Sequence, residues 1–397
     1  MKHIRSIAAL LLLAGIAAAA CGQATITVSN PTSQARHEVV EVDAASLRQR
    51  LDIADGTPIV VLGAFGQQVD HQLTHDGRLL VEASVFGNSK AQFTVMPGKP
   101  SGTTNAVCYV QGAVYRERLD DLTWENDLCA YRLYGPALQK RGERSFGIDV
   151  WTKSTPLPVV ADRYRIHLYG NSRADSLRRA GQKEAAATVR TETSFHIDHG
   201  DGMDGYAVGP TLGCGAPALL SEGRMLMPWC YERCEILDNG PLRFTAELTY
   251  TTTATGITEH RIVQLDKGSH FNRMTVWYDG IKQPLSLVAG VVLHGGEPIL
   301  EKDCVLYADP TDNPRLYQSQ IFVGTLFPNG VESTCRMANA DNTEHAVGVV
   351  GNYSGQSYTY YFGAAWSLYD VPTMAHWKLC AEDFLNALRQ PLIITID

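Results

Sequence analysis

The sequence predicts an all-β protein, a large antiparallel β-sandwich preceded by a small β-domain. Three observations predict it. Short runs that alternate apolar residues with Thr, Tyr or charged residues recur along the whole chain, and only two segments have helical composition. Charged residues make up 19% of the 397, while Tyr reaches 17 and Gly 35, a balance suited to sheets and turns rather than to solvated helices. No internal repeat, low-complexity tract or heptad pattern competes with that reading. The formal net charge of -8 lacks the clustered Lys and Arg that sequence-independent phosphate binding needs, so nucleic acid is excluded as a partner. Tyr, Thr and Gly with little charge fit a carbohydrate-like partner instead.

Residues 1–20 read as a signal peptide. Lys2 and Arg5 open it, and Ile7 to Ala20 is apolar but too short and Ala-rich for a membrane span. Ala18-Ala19-Ala20-Cys21-Gly22 has the small residues before a lone Cys of a bacterial lipoprotein signal. The expectation is an exported chain with a lipid anchor at Cys21, in the periplasm or outer membrane of a Gram-negative bacterium. The remaining eight cysteines permit disulfides after export, although spacing cannot pair them. Cys230 and Cys234 are close together without a second ligand pair, so a disulfide or two buried thiols is expected rather than zinc.

The small domain is expected over 24–100. Thr25, Thr27 and Ser29 alternate with Ile26 and Val28, and His37 to Val42 alternates again, giving two half-buried strands around an Asn-Pro turn. Strands follow at Pro58 to Leu62, Leu79 to Val85 and Ala91 to Val95, and Met96 to Gly102 is the linker. The large domain is expected over 105–397. Its strands are Ala106 to Val114, Leu128 to Tyr134, Phe146 to Trp151, Leu242 to Tyr250, Thr258 to Leu265, Phe271 to Tyr278, Leu287 to His294, Ala346 to Val350, Tyr358 to Trp366 and Pro391 to Ile396. Helices are expected at Arg173 to Thr191, weakened by Gly181, and at Cys380 to Arg389.

Glu192 to Leu219 carries the densest polar chemistry. His196, Asp198, His199, Asp201 and Asp204 fall within nine residues, interleaved with glycines that permit sharp bends and close backbone approach. His196 and Asp198 would share one face of a strand, with His199 in the loop that leaves it. The second concentration is Tyr115 to Tyr134. There Trp124 offers an aromatic face to a sugar ring, and Glu125, Asn126, Asp127 and Arg118 offer groups for its hydroxyls. His294 ends an apolar strand beside Gly295 and Gly296, at a pocket mouth. Arg243, Glu259 and Arg261 suit either a cleft or cross-strand ion pairs, and the pairs are preferred. Trp366, His376 and Trp377 are further aromatic candidates. Asp198, Asp201 and Asp204 could instead hold Ca²⁺, although they lack EF-hand spacing.

Several runs resemble a known family. Tyr115-Arg116-Glu117-Arg118, Trp124-Glu125-Asn126-Asp127, Gly147-Ile148-Asp149-Val150-Trp151, His196-Ile197-Asp198-His199-Gly200, Met203-Asp204-Gly205-Tyr206 and Asn239-Gly240-Pro241-Leu242-Arg243 are similar to the exported domain-of-unknown-function family DUF4861. Its members are associated with bacterial polysaccharide utilisation. The resemblance implies a β-supersandwich like that of galactose mutarotases, behind a smaller β-domain, and a setting among uronide-degrading enzymes. It implies the reaction only weakly.

In β-elimination a base takes the C5 proton of a uronide, a cation neutralises its carboxylate, and an acid protonates the leaving oxygen. His196, His199, Tyr206 and Arg132 are the catalytic candidates; Trp124, Glu125, Asn126, Asp127, Arg118, Asp201, Asp204 and His294 are the binding ones. Hydrolysis would use two of the carboxylates across the bond. A mutarotase-like epimerisation and a surface protein that captures glycans without turnover complete the alternatives. The expectation is a lyase on pectin-like oligosaccharides that requires no cofactor, with His199 or His196 as base.

Overall fold

A computed structural model describes residues 22–99, 107–227, 229–310, 319–339 and 341–397. The signal peptide, Cys21 and part of the linker lie outside the described residues. Strand accounts for 44% of the structure and helix for 17%, the all-β outcome the alternating runs predict.

An eight-stranded antiparallel sheet is the spine. Its order is Tyr231–Asn239, Arg243–Tyr250, Thr258–Asp266, Phe271–Asp279, Tyr358–Trp366, Ile321–Leu326, Cys304–Asp309 and Ile299–Glu301. Alternation divides its faces. Phe244, Val263, Met274, Phe362 and Val323 point inward to the main core. Phe271, Phe322, Leu326 and Ala365 point outward beneath the helix Met374–Arg389, where Trp377 and Leu385 complete a second core. That helix starts six residues before the expected one because Thr373 caps it, accepting from His376 N.

Two sheets cover the inward face. One has the order Arg224–Leu226, Cys214–Ser221, Leu285–Val292, Glu344–Tyr353 and Ser333–Ala338. The other is a meander of Gln111–Tyr115, Asp121–Glu125, Cys129–Leu133 and Asp149–Thr152. Apolar residues of all three share one core, which makes this part a β-sandwich.

The small domain packs a four-stranded sheet on a three-stranded one around its own core. Its expected strands are present, and Asp43 starts a helix, Ala44–Leu51, that alternation did not signal; its carboxylate accepts from Ser46 N at 2.7 Å. The last strand, Ile393–Ile396, placed by the sequence in the large domain, pairs with Ala24–Ser29 instead. Apolar residues on both faces of those four positions suit either sheet, so pattern alone could not assign it.

The helical expectation becomes a hairpin. Helix Val160–Arg179 starts 13 residues before the expected segment, and Lys183–Glu192 follows it after Gly181 at φ 80°. The expected strand at His196 to Asp198 is absent: these residues lie in an irregular segment that runs back over the meander. The eight cysteines from Cys108 to Cys380 are free thiols.

Candidate functional site

The glycine-rich segment is held along the free edge of Asp149–Thr152. Thr152 N donates to Met203 O at 2.8 Å, Ile148 N to Leu212 O at 3.2 Å, and Cys214 N to Ile148 O at 2.7 Å. This contact needs glycine at two places. Gly202 has φ 104°, and a Cβ there would lie 2.2 Å from Thr152 O; Gly213 has φ 59°, with Ile148 O at 2.2 Å. The close approach brings Asp204 opposite Trp151 in an isolated antiparallel bridge.

Arg132 lies at the centre of the resulting cluster. It is buried on the meander, where its register partner is Asp149. Its guanidinium contacts Asp149 Oδ2, and lies 3.0 Å from Asp204 Oδ2 and 3.2 Å from the Tyr134 hydroxyl. The same group sits over the rings of Tyr134 and Trp151. Burial holds the Asp149 carboxyl well above the usual carboxylate range; Arg132 opposes that rise and Asp204 adds to it. Arg132 is therefore an internal counter-ion rather than a free cation for a substrate carboxylate.

Asp204 reaches outward to His196. The ring Nδ1 lies 3.0 Å from the Asp204 carbonyl oxygen and 3.6 Å from its Oδ2. A carbonyl only accepts, so the Nδ1 proton makes that bond and the lone pair of the neutral ring is at Nε2. The His196 side chain is 57% exposed. Beside it Phe195 packs at 4.5 Å between ring centroids, and Arg118 lies over Phe195 and Tyr164 at 5.3 Å. His167 closes the back of this rim, 6.4 Å from His196; burial, then the Arg118 and His196 charges, hold its imidazole down to about 4.

A second His–Asp pair adjoins the cluster. His294 Nδ1 is 2.6 Å from Asp309 Oδ2, and its ring is edge-on to Tyr206 at 6.1 Å. Burial raises the Tyr206 hydroxyl well above its ordinary value, and Cys214, Asp309 and Asp149 add to the rise. Its oxygen is buried and has no hydrogen-bond partner among the described residues.

Other expected site residues are placed differently. Trp124 is 0% exposed, stacked between Tyr131 and Phe244, with Nε1 donating to Asn272 Oδ1 at 2.7 Å; it offers no face to a sugar. Glu125 receives Lys153 Nζ at 3.0 Å and the amides of Val159 and Val160, so it caps the helix Val160–Arg179. Asn126 is buried and donates to Asp266 O and Ser269 O while accepting from Leu128 and Cys129 N. Asp127, in the turn before Cys129–Leu133, accepts from Gly268 N at 2.8 Å. Trp124, Glu125 and Asn126 brace the fold, since polar groups this buried must find internal partners, and the half-buried Asp127 ties the meander to the turn at Gly268. Trp366 and Trp377 are also core residues, and Arg243 pairs with Asp266 across the strands as expected.

His199 Nε2 donates to Ser194 O at 3.0 Å, on the exposed side of the segment. Asp198 accepts from Gly200 and Gly202 N, Asp201 faces Arg163 Nε at 3.5 Å, and Asp204 holds Arg132. Among the described residues these three do not gather their oxygens as a Ca²⁺ site requires; the acidic and thiol groups that come together are Glu301, Asp303 and Cys304. Asp149 and Asp309 were missed as site residues. The available signal was parity: Asp149 shares a strand face with Trp151, and Asp309 with Val305 and Tyr307, so each carboxylate faces inward and needs a partner.

His345 lies under this region, accepting from Leu212 N at 3.3 Å while wholly buried, and burial holds its imidazole down to about 4. The unfolded chain binds that proton near 6.5, so its contribution to stability is complete above 6.5 and is lost as pH falls toward 4. Urea unfolding is expected to show about 2 kcal/mol less stability at pH 5 than at pH 7.5 from this group alone. His345→Gln is expected to lose correspondingly less; equal losses in variant and parent would refute the assignment.

The family described as Domain of unknown function (DUF4861) matches residues 28–394. "Uncharacterized protein P7" of Formosa agariphila is 25% identical over 423 residues, with 100% of both chains covered. Two solved structures are similar in chain path. An alpha-mannosidase from Enterococcus faecalis V583 has a TM-score of 0.42 at 11% identity, covering 94% of this chain and 46% of that one. A protein in the Glycosyl Hydrolase Family 38 from Enterococcus faecalis has 0.43 at 10%, covering 95% and 48%. The chain thus spans about half the length of those two.

Proposed function

The chain belongs to the family described as Domain of unknown function (DUF4861), and from that premise we propose a carbohydrate-active enzyme, exported and lipid-anchored at Cys21, that cleaves uronic-acid-containing oligosaccharides by β-elimination. The observation that carries the reading is His196, fixed at Nδ1 by Asp204 and exposed at its ring. A base needs an oriented lone pair that a substrate can reach, and an imidazole titrates in the working range.

In this reading His196 Nε2 removes the C5 proton. Arg118, on the same rim, neutralises the sugar carboxylate in the place expected of Arg132. The C4–O bond breaks as the C4–C5 double bond forms, and the leaving oxygen takes a proton from solvent water, because the Tyr206 hydroxyl expected as the acid is buried in the core. Elimination is preferred to hydrolysis because Asp149, Asp204 and Glu125 are buried in ion pairs, whereas a glycosidase needs two carboxylates facing the bond.

Incubation with unsubstituted galacturonan oligosaccharides is expected to raise ultraviolet absorbance from the unsaturated product. His196→Ala is expected to lower turnover by roughly 10²–10⁴-fold with the fold intact. His199→Ala is expected to have the smaller effect, since its Nε2 is held by the Ser194 carbonyl rather than left for a substrate. New reducing ends without the chromophore would make the protein a hydrolase; binding without product would make it a capture protein.

A further inference from the structure

A cavity of about 600 Å³ opens where the small domain, the outward face of the eight-stranded sheet and the helix Met374–Arg389 meet. It shares no residue with the His196 cluster. Strand register builds one of its walls. Gln264, Arg273 and Tyr361 are direct neighbours across three adjacent strands, so their side chains stand in one row on the same face. Beyond that row Tyr361 packs edge-on against Phe384 of the helix, with ring centroids 5.1 Å apart.

Most charges that line this cavity are already partnered. Arg243 donates to Asp266 at 2.6 and 2.7 Å and to Glu41 at 2.6 Å. Lys267 and His37 share Glu82, Arg36 holds Glu38, and His270 holds Asp370. Arg273 differs: it lines the cavity, is exposed, and has no ion pair or hydrogen bond among the described residues. The Gln264 amide is anchored, since turning its oxygen toward Arg243 lets it accept from that guanidinium and presents its NH₂ away from it. Asp383, on the helix side, supplies a carboxylate acceptor.

We propose that this cavity is a second binding site, for a small sugar acid. The ligand carboxylate pairs with the planar fork of Arg273, hydroxyls bond to Gln264 and Asp383, and the C–H face of the ring lies on Tyr361. A guanidinium is the side chain best matched to a carboxylate, and an aromatic ring beside amide and carboxylate groups suits a hydroxylated ring. The volume is in the range of small-molecule pockets, roughly 300–1,000 Å³. Because the walls come from both domains and the C-terminal helix, occupancy would tie the three together.

Calorimetry of the full chain with glucuronate and with glucose tests this. Glucuronate is expected to bind and glucose to bind at least 10-fold more weakly. Arg273→Ala is expected to weaken glucuronate by 10-fold or more, and Arg273→Lys to recover only part of it. Ala387→Trp, which fills the cavity from the helix, is expected to abolish binding even if the arginine variant is uninformative. His196→Ala is expected to bind glucuronate normally, which separates this site from the proposed active site. Equal binding of glucose and glucuronate, or glucuronate binding that survives both Arg273→Ala and Ala387→Trp, would overturn the proposal.

Discussion

Arg132→Met is expected to cost about 3–5 kcal/mol of folding stability at pH 7.5. The side chain is flanked by Asp149 and Asp204, and all three residues are nearly inaccessible to water. Methionine retains much of the bulk but leaves two carboxylates facing one another without a cation. Loss of one partner from a buried pair costs far more than the pair itself contributes, because the remaining charge has no water. The deficit also has a pH signature. Without Arg132 the Asp149 carboxyl, already raised by burial, rises further above the unfolded value near 3.9, so the native state binds the extra proton. The penalty should therefore shrink as pH falls from 7.5 to 5 and grow as pH rises. Adding Asp149→Asn to the methionine variant should restore part of the loss, a coupling that separate sites would not show. Chemical denaturation of the four proteins at two pH values measures all of this. Wild-type stability in Arg132→Met would mean that the three charges do not share one enclosure.

The second large effect is expected at Glu125. Glu125→Gln should destabilise by about 3–5 kcal/mol, because Lys153, 0% exposed, would lose its only carboxylate among the described residues. The amide can still accept from Val159 or Val160 N, so the helix start keeps part of its cap and the missing charge dominates the loss. Glycan affinity, measured where the variant remains folded, should be unchanged. A variant of normal stability that bound glycans poorly would return Glu125 to the substrate-binding role that the sequence suggested.

These two residues show where sequence reasoning stopped. Tyr115 to Tyr134 concentrates charge, and surface charge and binding charge look alike in a string of letters. The fold separates them by strand face. Arg132 and Asp204 come from segments some seventy positions apart (roughly, by chain count) and do meet, as an organised site requires. Trp124, Glu125, Asn126 and Asp127 bond elsewhere, to the core, the helix start and the turn after Asp266. His196 was legible as chemistry; the carbonyl and carboxylate that orient it were not, because Asp204 was indistinguishable from Asp198 and Asp201 until the glycine-rich segment was laid on its strand. Arg273, Gln264 and Tyr361 raised no signal at all, being spread over nearly a hundred positions, roughly, and joined only by register.

By itself the sequence determined the all-β architecture, most strand positions and the two polar segments that meet around Arg132. Those are local quantities: alternation sets which residues face a core, and glycine sets where the backbone can fold close. Only the tertiary structure decided which charges neutralise one another, which histidine keeps an oriented and accessible nitrogen, and which sheet receives the last strand. Such choices depend on long-range contacts and on exclusion of water, and a carboxylate carries no mark of its partner until the chain has closed around it.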